Sequence, residues 1–185
     1  MSERPGDSSI AVRRGDRERP RLAEPVPLVL VLDRLRSAFN VGNIFRLADA
    51  TRVRRIVTCG YTAAPPHPKL AKTARGCDAL VPSTTAKSAA DAVENLKARG
   101  YFVYAVETVQ NAETVWEVAF EFPAALIFGN EALGISQDAL QLCDGFIELP
   151  AFGIKNSLNV GNCAAIVVYT ALGQWLQSHG TESPD

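Results

Sequence analysis

Phe146-Ile147-Glu148-Leu149-Pro150-Ala151-Phe152-Gly153-Ile154-Lys155-Asn156-Ser157-Leu158-Asn159 is the stretch on which the fold turns. Its first four residues read as a short apolar strand. Pro150 has no N–H to give to a sheet ladder and ends it. A loop with Gly153 and two asparagines follows. Ser157-Leu158-Asn159 then opens the most apolar helix of the chain, Val160 to about Gln177. Strand, loop and helix in that order put backbone N–H and C=O groups at the carboxyl end of a sheet, where open α/β sheets bind ligands. The loop is therefore expected to form the floor of a small-molecule site, and the rest of the chain to bring a second substrate to it.

Upstream, Leu28-Val29-Leu30-Val31-Leu32 is an unbroken apolar run, the mark of a strand buried on both faces of a parallel sheet. Further strands are expected at Arg55–Cys59, Tyr101–Val106 and Ala124–Phe128, with a brief one at Ala79–Val81. Between the first two lies a helix to Ala50, with Asn40 at its N-cap. Ile44, Leu47 and Ala48 share one face of it, and Asn43 and Arg46 the other. A Pro-rich loop leads to a short basic helix ending at Gly76. The spacing of Lys69, Lys72 and Arg75 puts these three on one face. Ala89–Arg99 is an amphipathic helix with Gly100 at C′, and Ser136 caps a short helix to Cys143. Trp116–Phe122 matches no element.

Strands alternating with helices predict an α/β fold, a mostly parallel sheet with helices on both faces. Residues 25–178 form one domain in this reading. The Arg-rich segment 1–24, whose acids nearly balance its arginines, is expected to be a disordered tail, and 179–185 a flexible one.

The 185 residues are 47% hydrophobic and 21% charged, enough to build a sizeable core. A net charge of −1 excludes a broadly basic molecule, so any nucleic-acid surface must be local. No apolar run approaches a membrane span of ~18 residues, and no signal-peptide core is visible. The four cysteines are scattered, as in a reduced cytoplasmic protein. His67 and His179 have no ligand cluster around them, so no metal is expected. There is no G-x-G-x-x-G. Gly129 and Gly134 have P-loop spacing, but Ile135 stands where a lysine must reach phosphate. No G-x-S-x-G surrounds Ser157, which argues against a hydrolase triad.

Three strand-end segments collect the unusual residues. Asn40-Val41-Gly42-Asn43-Ile44-Phe45-Arg46 resembles the first motif of the SpoU/TrmH family of the SPOUT methyltransferase superfamily. Phe128-Gly129-Asn130-Glu131-Ala132-Leu133-Gly134-Ile135 resembles the second, and Leu149-Pro150 through Ser157-Leu158-Asn159-Val160 the third. They stand in the family's order and span residues of about 28 to 177. The resemblance implies S-adenosylmethionine as methyl donor, 2′-O-ribose methylation of tRNA or rRNA, a homodimer, and a C-terminal trefoil knot. No separate RNA-binding domain precedes residue 25, which tilts the expectation slightly towards tRNA.

By the same resemblance Asn40, Arg46, Glu131, Ser157 and Asn159 are the catalytic candidates. Arg46 would ready the 2′-OH. With a pKa above ~12 it is a poor base, so gripping the adjacent phosphate and stabilising charge on O2′ is the more conservative role. Glu131 would pair with Arg46 and aim it, or act only as a first-turn helix acid. Asn40 and Ser157 also read as plain helix caps. Val106, Glu107, Thr108, Gly129, Leu149, Ser157 and Leu158 would hold the donor, Gly129 by letting the backbone come close. Lys69, Lys72 and Arg75, with Arg46, would contact RNA, or the three helix cations are a solvated face. Nothing near Cys77 would activate a thiolate. The last helix is apolar nearly all round, so a partner subunit is expected to cover one side. Alternative readings are a non-catalytic RNA-binding protein with a methyltransferase fold and an unrelated α/β nucleotide-binding enzyme.

Overall fold

The computed structural model describes residues 22–179. In chain order the elements are β1 (Val26–Asp33), α1 (Ala38–Ala50), β2 (Val53–Cys59), α2 (Pro68–Ala74), α3 (Cys77–Leu80), β3 (Ser83–Ala86), α4 (Ala89–Lys97), β4 (Phe102–Val106), β5 (Glu113–Thr114), β6 (Ala124–Phe128), α5 (Gln137–Leu140), β7 (Gly145–Glu148) and α6 (Val160–His179). The strands form one sheet in the order β3-β2-β1-β6-β4-β7-β5, and every pairing is parallel. The chain builds outward from β1 to β3, then crosses to the other half of the sheet. All strand carboxyl ends therefore lie on one edge, with β1, β6 and β4 side by side at the crossing point.

The unbroken apolar run belongs to β1. Leu28, Leu30 and Leu32 face the core beneath α1, α2 and α6, while Val29 and Val31 face the core beneath α4 and α5. Strand residues point alternately to the two faces, so a strand covered on both sides needs no polar position.

Several local expectations are corrected. The N-cap of α1 is Ser37, whose Oγ accepts from the Asn40 N–H at 3.2 Å, so Asn40 is already inside the helix. Ala79–Val81 is not a strand. Cys77–Leu80 turns as α3, Leu80 is 70% exposed, and the pairing with β2 falls to Ser83–Ala86. Arg75 is the C-cap of α2 at φ +50°, so its side chain leaves the row of Lys69 and Lys72. Ahead of β1, Leu22 packs against the core and the Ala23 carbonyl accepts from Arg52 Nη2. At the other end His179 is still helical. The rest of the two expected tails, 1–21 and 180–185, lies outside the described residues.

Helix α6 buries Ala164, Val167, Val168 and Ala171 and leaves Ile166 and Tyr169 on the outside, 40% and 53% exposed. Its partner in the layer, α1, is crossed closely by α2. A Cβ on Gly42 would collide with Thr73 Oγ1 and the Leu70 carbonyl oxygen and come within 2.9 Å of the Ala74 nitrogen. Two of these three atoms are backbone and cannot step aside. Gly42→Ala is expected to destabilise the protein by about 3 kcal/mol, the upper end of overpacking costs. A lowered urea midpoint at unchanged slope would register it.

Candidate active site

A cavity of about 460 Å³ opens at the carboxyl ends of β4, β6 and β7. Its walls come from Val106–Thr108, Phe128–Ala132, Gly134, Ile147–Leu149, Asn156–Val160 and Cys163. All seven residues expected to hold a donor line it: Val106, Glu107, Thr108, Gly129, Leu149, Ser157 and Leu158. The loop after β7 is less of a floor than its sequence suggests. Its two ends line the cavity, but Phe152 and Ile154 between them are 90% and 100% exposed.

Three side chains tie the three motif segments together at the cavity mouth. The Asn40 Nδ2 donates to Glu131 Oε1 at 2.9 Å, and the Asn159 Nδ2 donates to Asn40 Oδ1 at 3.2 Å. Asn159 Oδ1 in turn accepts from the Gly161 N–H at 2.9 Å and so caps α6, the role expected of Ser157. The order is set by charge. A carboxylate only accepts, so it holds the amide NH2 of Asn40 towards itself and leaves the amide oxygen facing Asn159.

Glu131 has a different task from the one expected. Rather than pairing with Arg46, it accepts from the backbone N–H groups of Arg36 at 2.9 Å and Ser37 at 3.3 Å, clamping the turn that enters α1. Burial would raise its pKa, but the hydrogen bonds from Arg36, its own N–H, Asn40 and Ser37 outweigh that, and the carboxyl sits below its ordinary value. Arg46 lies further along α1, exposed and outside the cavity lining. Its charge is felt at Cys77, where burial and then Asp49 push the thiol up and Arg46 opposes them.

Gly129 lines the cavity and also shapes the turn behind it. The atoms nearest the place of its missing Cβ are the Ile135 nitrogen and the Gly134 carbonyl carbon, so the turn itself requires a glycine here. Asn130 and Gly134 exchange backbone hydrogen bonds of 3.1 and 2.9 Å across that turn. Gly134, at φ +68°, sits against Glu107, where a Cβ would lie 2.5 Å from Oε2. Glu107 Oε2 accepts from Ile135 N–H at 3.1 Å and Oε1 from Thr108 N–H at 3.1 Å.

Sequence reasoning missed the buried anchors of the same turn. Asp33, 1% exposed, accepts from the Ser136 N–H at 2.7 Å and from Arg34 at 3.0 Å. Asn130, 4% exposed, donates to the Arg34 carbonyl at 2.6 Å and to the Tyr61 hydroxyl at 2.7 Å. Its Oδ1 accepts from Ala132 and Leu133 at 2.9 Å each. The one available signal was an Asp ending an otherwise apolar strand, which must find donors if buried. All four cysteines are free. Burial is the largest cause of the rise in each thiol pKa, up to about 12 at Cys59 and Cys143 and about 11 at Cys163. None is poised as a thiolate nucleophile. Among the described residues no group of three or more metal-ligating side chains gathers, and no helix is long and apolar enough to cross a membrane.

A parallel α/β sheet with a cavity of about 460 Å³ at its carboxyl edge, bordered by three polar strand-end segments, is the layout of a small-molecule site on an open α/β sheet. Residues 27–169 match the SpoU rRNA Methylase family, and the chain belongs to that family.

It is 32% identical to the tRNA (guanosine(18)-2'-O)-methyltransferase of Thermus thermophilus, over 82% of this chain and 77% of that one. It is 30% identical to the 23S rRNA (uridine(2479)-2'-O)-methyltransferase of Streptomyces viridochromogenes, over 85% and 56%. The structure of the SpoU methyltransferase AviRb from the same organism, in complex with the cofactor AdoMet, superposes with a TM-score of 0.74 at 26% identity, covering 85% and 62%. The chain spans 58% and 55% of the length of two further curated relatives, from Staphylococcus haemolyticus and Synechocystis.

Because the folded-state pKa of Glu131 is depressed, its stabilisation is complete above the ordinary carboxylate value of about 4.3 and is lost as pH falls through the lower folded value. Glu131→Gln is therefore expected to melt below the wild type at neutral pH, with the two melting temperatures converging in acid. A gap that persists unchanged at low pH would contradict this account.

Proposed function

We propose that the protein is an S-adenosylmethionine-dependent RNA 2′-O-ribose methyltransferase acting on tRNA or rRNA. The observation that carries this reading is the Glu131–Asn40–Asn159 chain, which brings all three motif segments to the mouth of one cavity. The named relatives act on both RNA classes, so the reading stops at RNA ribose.

The cavity fits the donor. Its volume falls in the range of about 300–1,000 Å³ usual for small-molecule sites. Apolar walls from Val106, Ile147, Leu149 and Leu158 suit an adenine ring, and the backbone of residues 106–108 and 147–149 offers edge hydrogen bonds. Glu107 retains acceptor capacity for a ribose hydroxyl, since each of its oxygens takes one protein hydrogen bond. When bound, the donor supplies an electrophilic methyl group on a sulfonium sulfur. Ser157 and Asn159 border that cavity, and Asn159 reaches Asn40 on α1, beside which the substrate ribose would sit. Asn40, oriented by Glu131, positions the ribose, and Arg46 grips the neighbouring phosphate and stabilises negative charge developing on O2′.

The trefoil knot, the homodimer and a cytoplasmic location belong to the same reading. The return of the chain from β7 to α6, which packs beside α1, supports the first. The exposed Ile166 and Tyr169 on α6 support the second. Lys69 and Lys72, exposed on α2, with Arg75 beside them, are the proposed RNA contacts.

Isothermal calorimetry with S-adenosylhomocysteine is expected to show binding, and comparison of ribose methylation in RNA from cells with and without the protein to reveal one missing mark. Arg46→Ala should lower methyl transfer by about 10²–10³-fold while leaving S-adenosylhomocysteine binding intact; near-normal turnover would remove Arg46 from the mechanism. Lys72→Glu is expected to weaken RNA binding and to flatten its salt dependence by about one unit of slope. An unchanged slope would assign α2 to solvent alone.

A further inference from the structure

At the carboxyl edge of β1–β2–β3, beside the cavity, stands an aromatic side chain that the methyl-transfer reading leaves without a task. Tyr61 is 60% exposed, yet it is held at three points. Its hydroxyl accepts from the Asn130 Nδ2 at 2.7 Å, and Asn130 is itself buried in the turn that lines the cavity. Its backbone lies in a tight turn, closed by the Thr62 N–H donating to the Cys59 carbonyl at 3.2 Å, with Gly60 at φ +60°. Thr62 then locks the turn to the neighbouring strand end. Its Oγ1 donates to the Leu32 carbonyl at 3.0 Å and accepts from the Leu35 N–H at 2.9 Å.

A single exposed aromatic ring is ordinary on a protein surface. This one is fixed in place without being buried, which is the arrangement of a preorganised contact surface. Its surroundings point to the partner. Arg34 runs beside Gly60, where a Cβ would lie 3.0 Å from its Cγ, and its guanidinium is paired to Asp33. Arg36 is exposed at the end of β1, and Lys87 follows Ala86, whose carbonyl accepts from the Gly60 N–H. Exposed Arg36 and Lys87 on the same sheet edge as an exposed ring suit a single-stranded polynucleotide, whose bases stack while its phosphates meet the cations.

We propose that Tyr61 is a stacking platform for a nucleobase of the RNA substrate, next to the nucleotide whose ribose enters the cavity. The inference rests on the methyltransferase reading for its choice of substrate. Asn130 joins the ring to the residue before Glu131, so a base on Tyr61 places its chain at the mouth where Asn40, Glu131 and Asn159 meet. Every base has a π-face, so the contact holds RNA without selecting sequence.

The test uses the full chain, with Tyr61→Phe and Tyr61→Leu. Phe keeps the ring and loses the hydroxyl; Leu loses the ring. A short unstructured oligoadenylate is the probe, and inorganic polyphosphate is the polyanion without bases. Tyr61→Phe, which keeps the ring but loses the anchor to Asn130, is expected to bind oligoadenylate more weakly than the wild type and more tightly than Tyr61→Leu, which should fall about tenfold below the wild type. All three should bind polyphosphate and S-adenosylhomocysteine equally. Oligoadenylate binding by Tyr61→Leu at the wild-type level would overturn the proposal, as would wild type failing to bind that probe. So would a Phe variant as impaired as Leu together with lost S-adenosylhomocysteine binding, which would make Tyr61 a prop for Asn130. Failure of the wild type to bind S-adenosylhomocysteine would sink the methyltransferase reading instead, and the Phe–Leu comparison on oligoadenylate would still decide the stacking.

Discussion

The turn from Gly129 to Ser136 is held from four sides, and the site exists because of it. Asp33 at the end of β1 takes the Ser136 N–H, and Glu107 at the end of β4 takes that of Ile135. Asn130 reaches the Arg34 carbonyl and Tyr61, beyond β1 and β2. Glu131 takes two N–H groups at the entrance of α1. Charged acceptors bonded to backbone N–H groups are the stronger kind of hydrogen bond. They also satisfy the N–H groups of Ile135 and Ser136 where the turn comes down onto the strand ends. No buried side-chain nitrogen or oxygen among the described residues lacks a partner.

That constraint propagates through close packing. Gly129 and Gly134 lack a Cβ because the turn folds onto itself and onto Glu107. Gly42 lacks one because α2 crosses α1 there. Gly42, Gly129 and Gly134 are thus required by packing, and the cavity is what remains once these elements have closed. The polar chain Glu131–Asn40–Asn159 then runs from the turn, through α1, to the cap of α6. Displacing any of the three segments would break a charge-assisted or amide hydrogen bond at the others.

The molecule as a whole is nearly neutral, so recognition of a polyanion has to be local. The carboxyl edge supplies it unevenly. On the β1–β2–β3 side stand Arg36, Lys87 and the fixed ring of Tyr61, and on the β4–β7 side the walls are apolar with Glu107 among them. The same edge therefore offers a phosphate-tolerant surface beside a cofactor-sized cavity, a division of labour that suits transfer from a small donor to a large acceptor.

The parallel α/β class and the strand of residues 124–128 were legible in the sequence, while seven of the residues that line the cavity followed from the resemblance of its motifs to the SpoU/TrmH family. An apolar run of period-free residues, a proline that cannot join a ladder and polar strand ends are local properties of the chain. What the sequence could not determine was which partners the polar groups choose. Asn40 reads as a cap, but Ser37 takes that place; Glu131 reads as Arg46's partner, but the entrance of α1 claims it. Gly129 lines the cavity, and only the fold shows that the close approach of Ile135 also demands a glycine there. Asp33, Asn130 and Tyr61 gain meaning only when residues far apart in the chain meet. The amino-acid order decides which groups arrive at the sheet edge, because periodicity and turn chemistry act over a few residues. Their pairing is decided by the tertiary structure, because a hydrogen bond across about 100 positions depends on packing that no local pattern encodes.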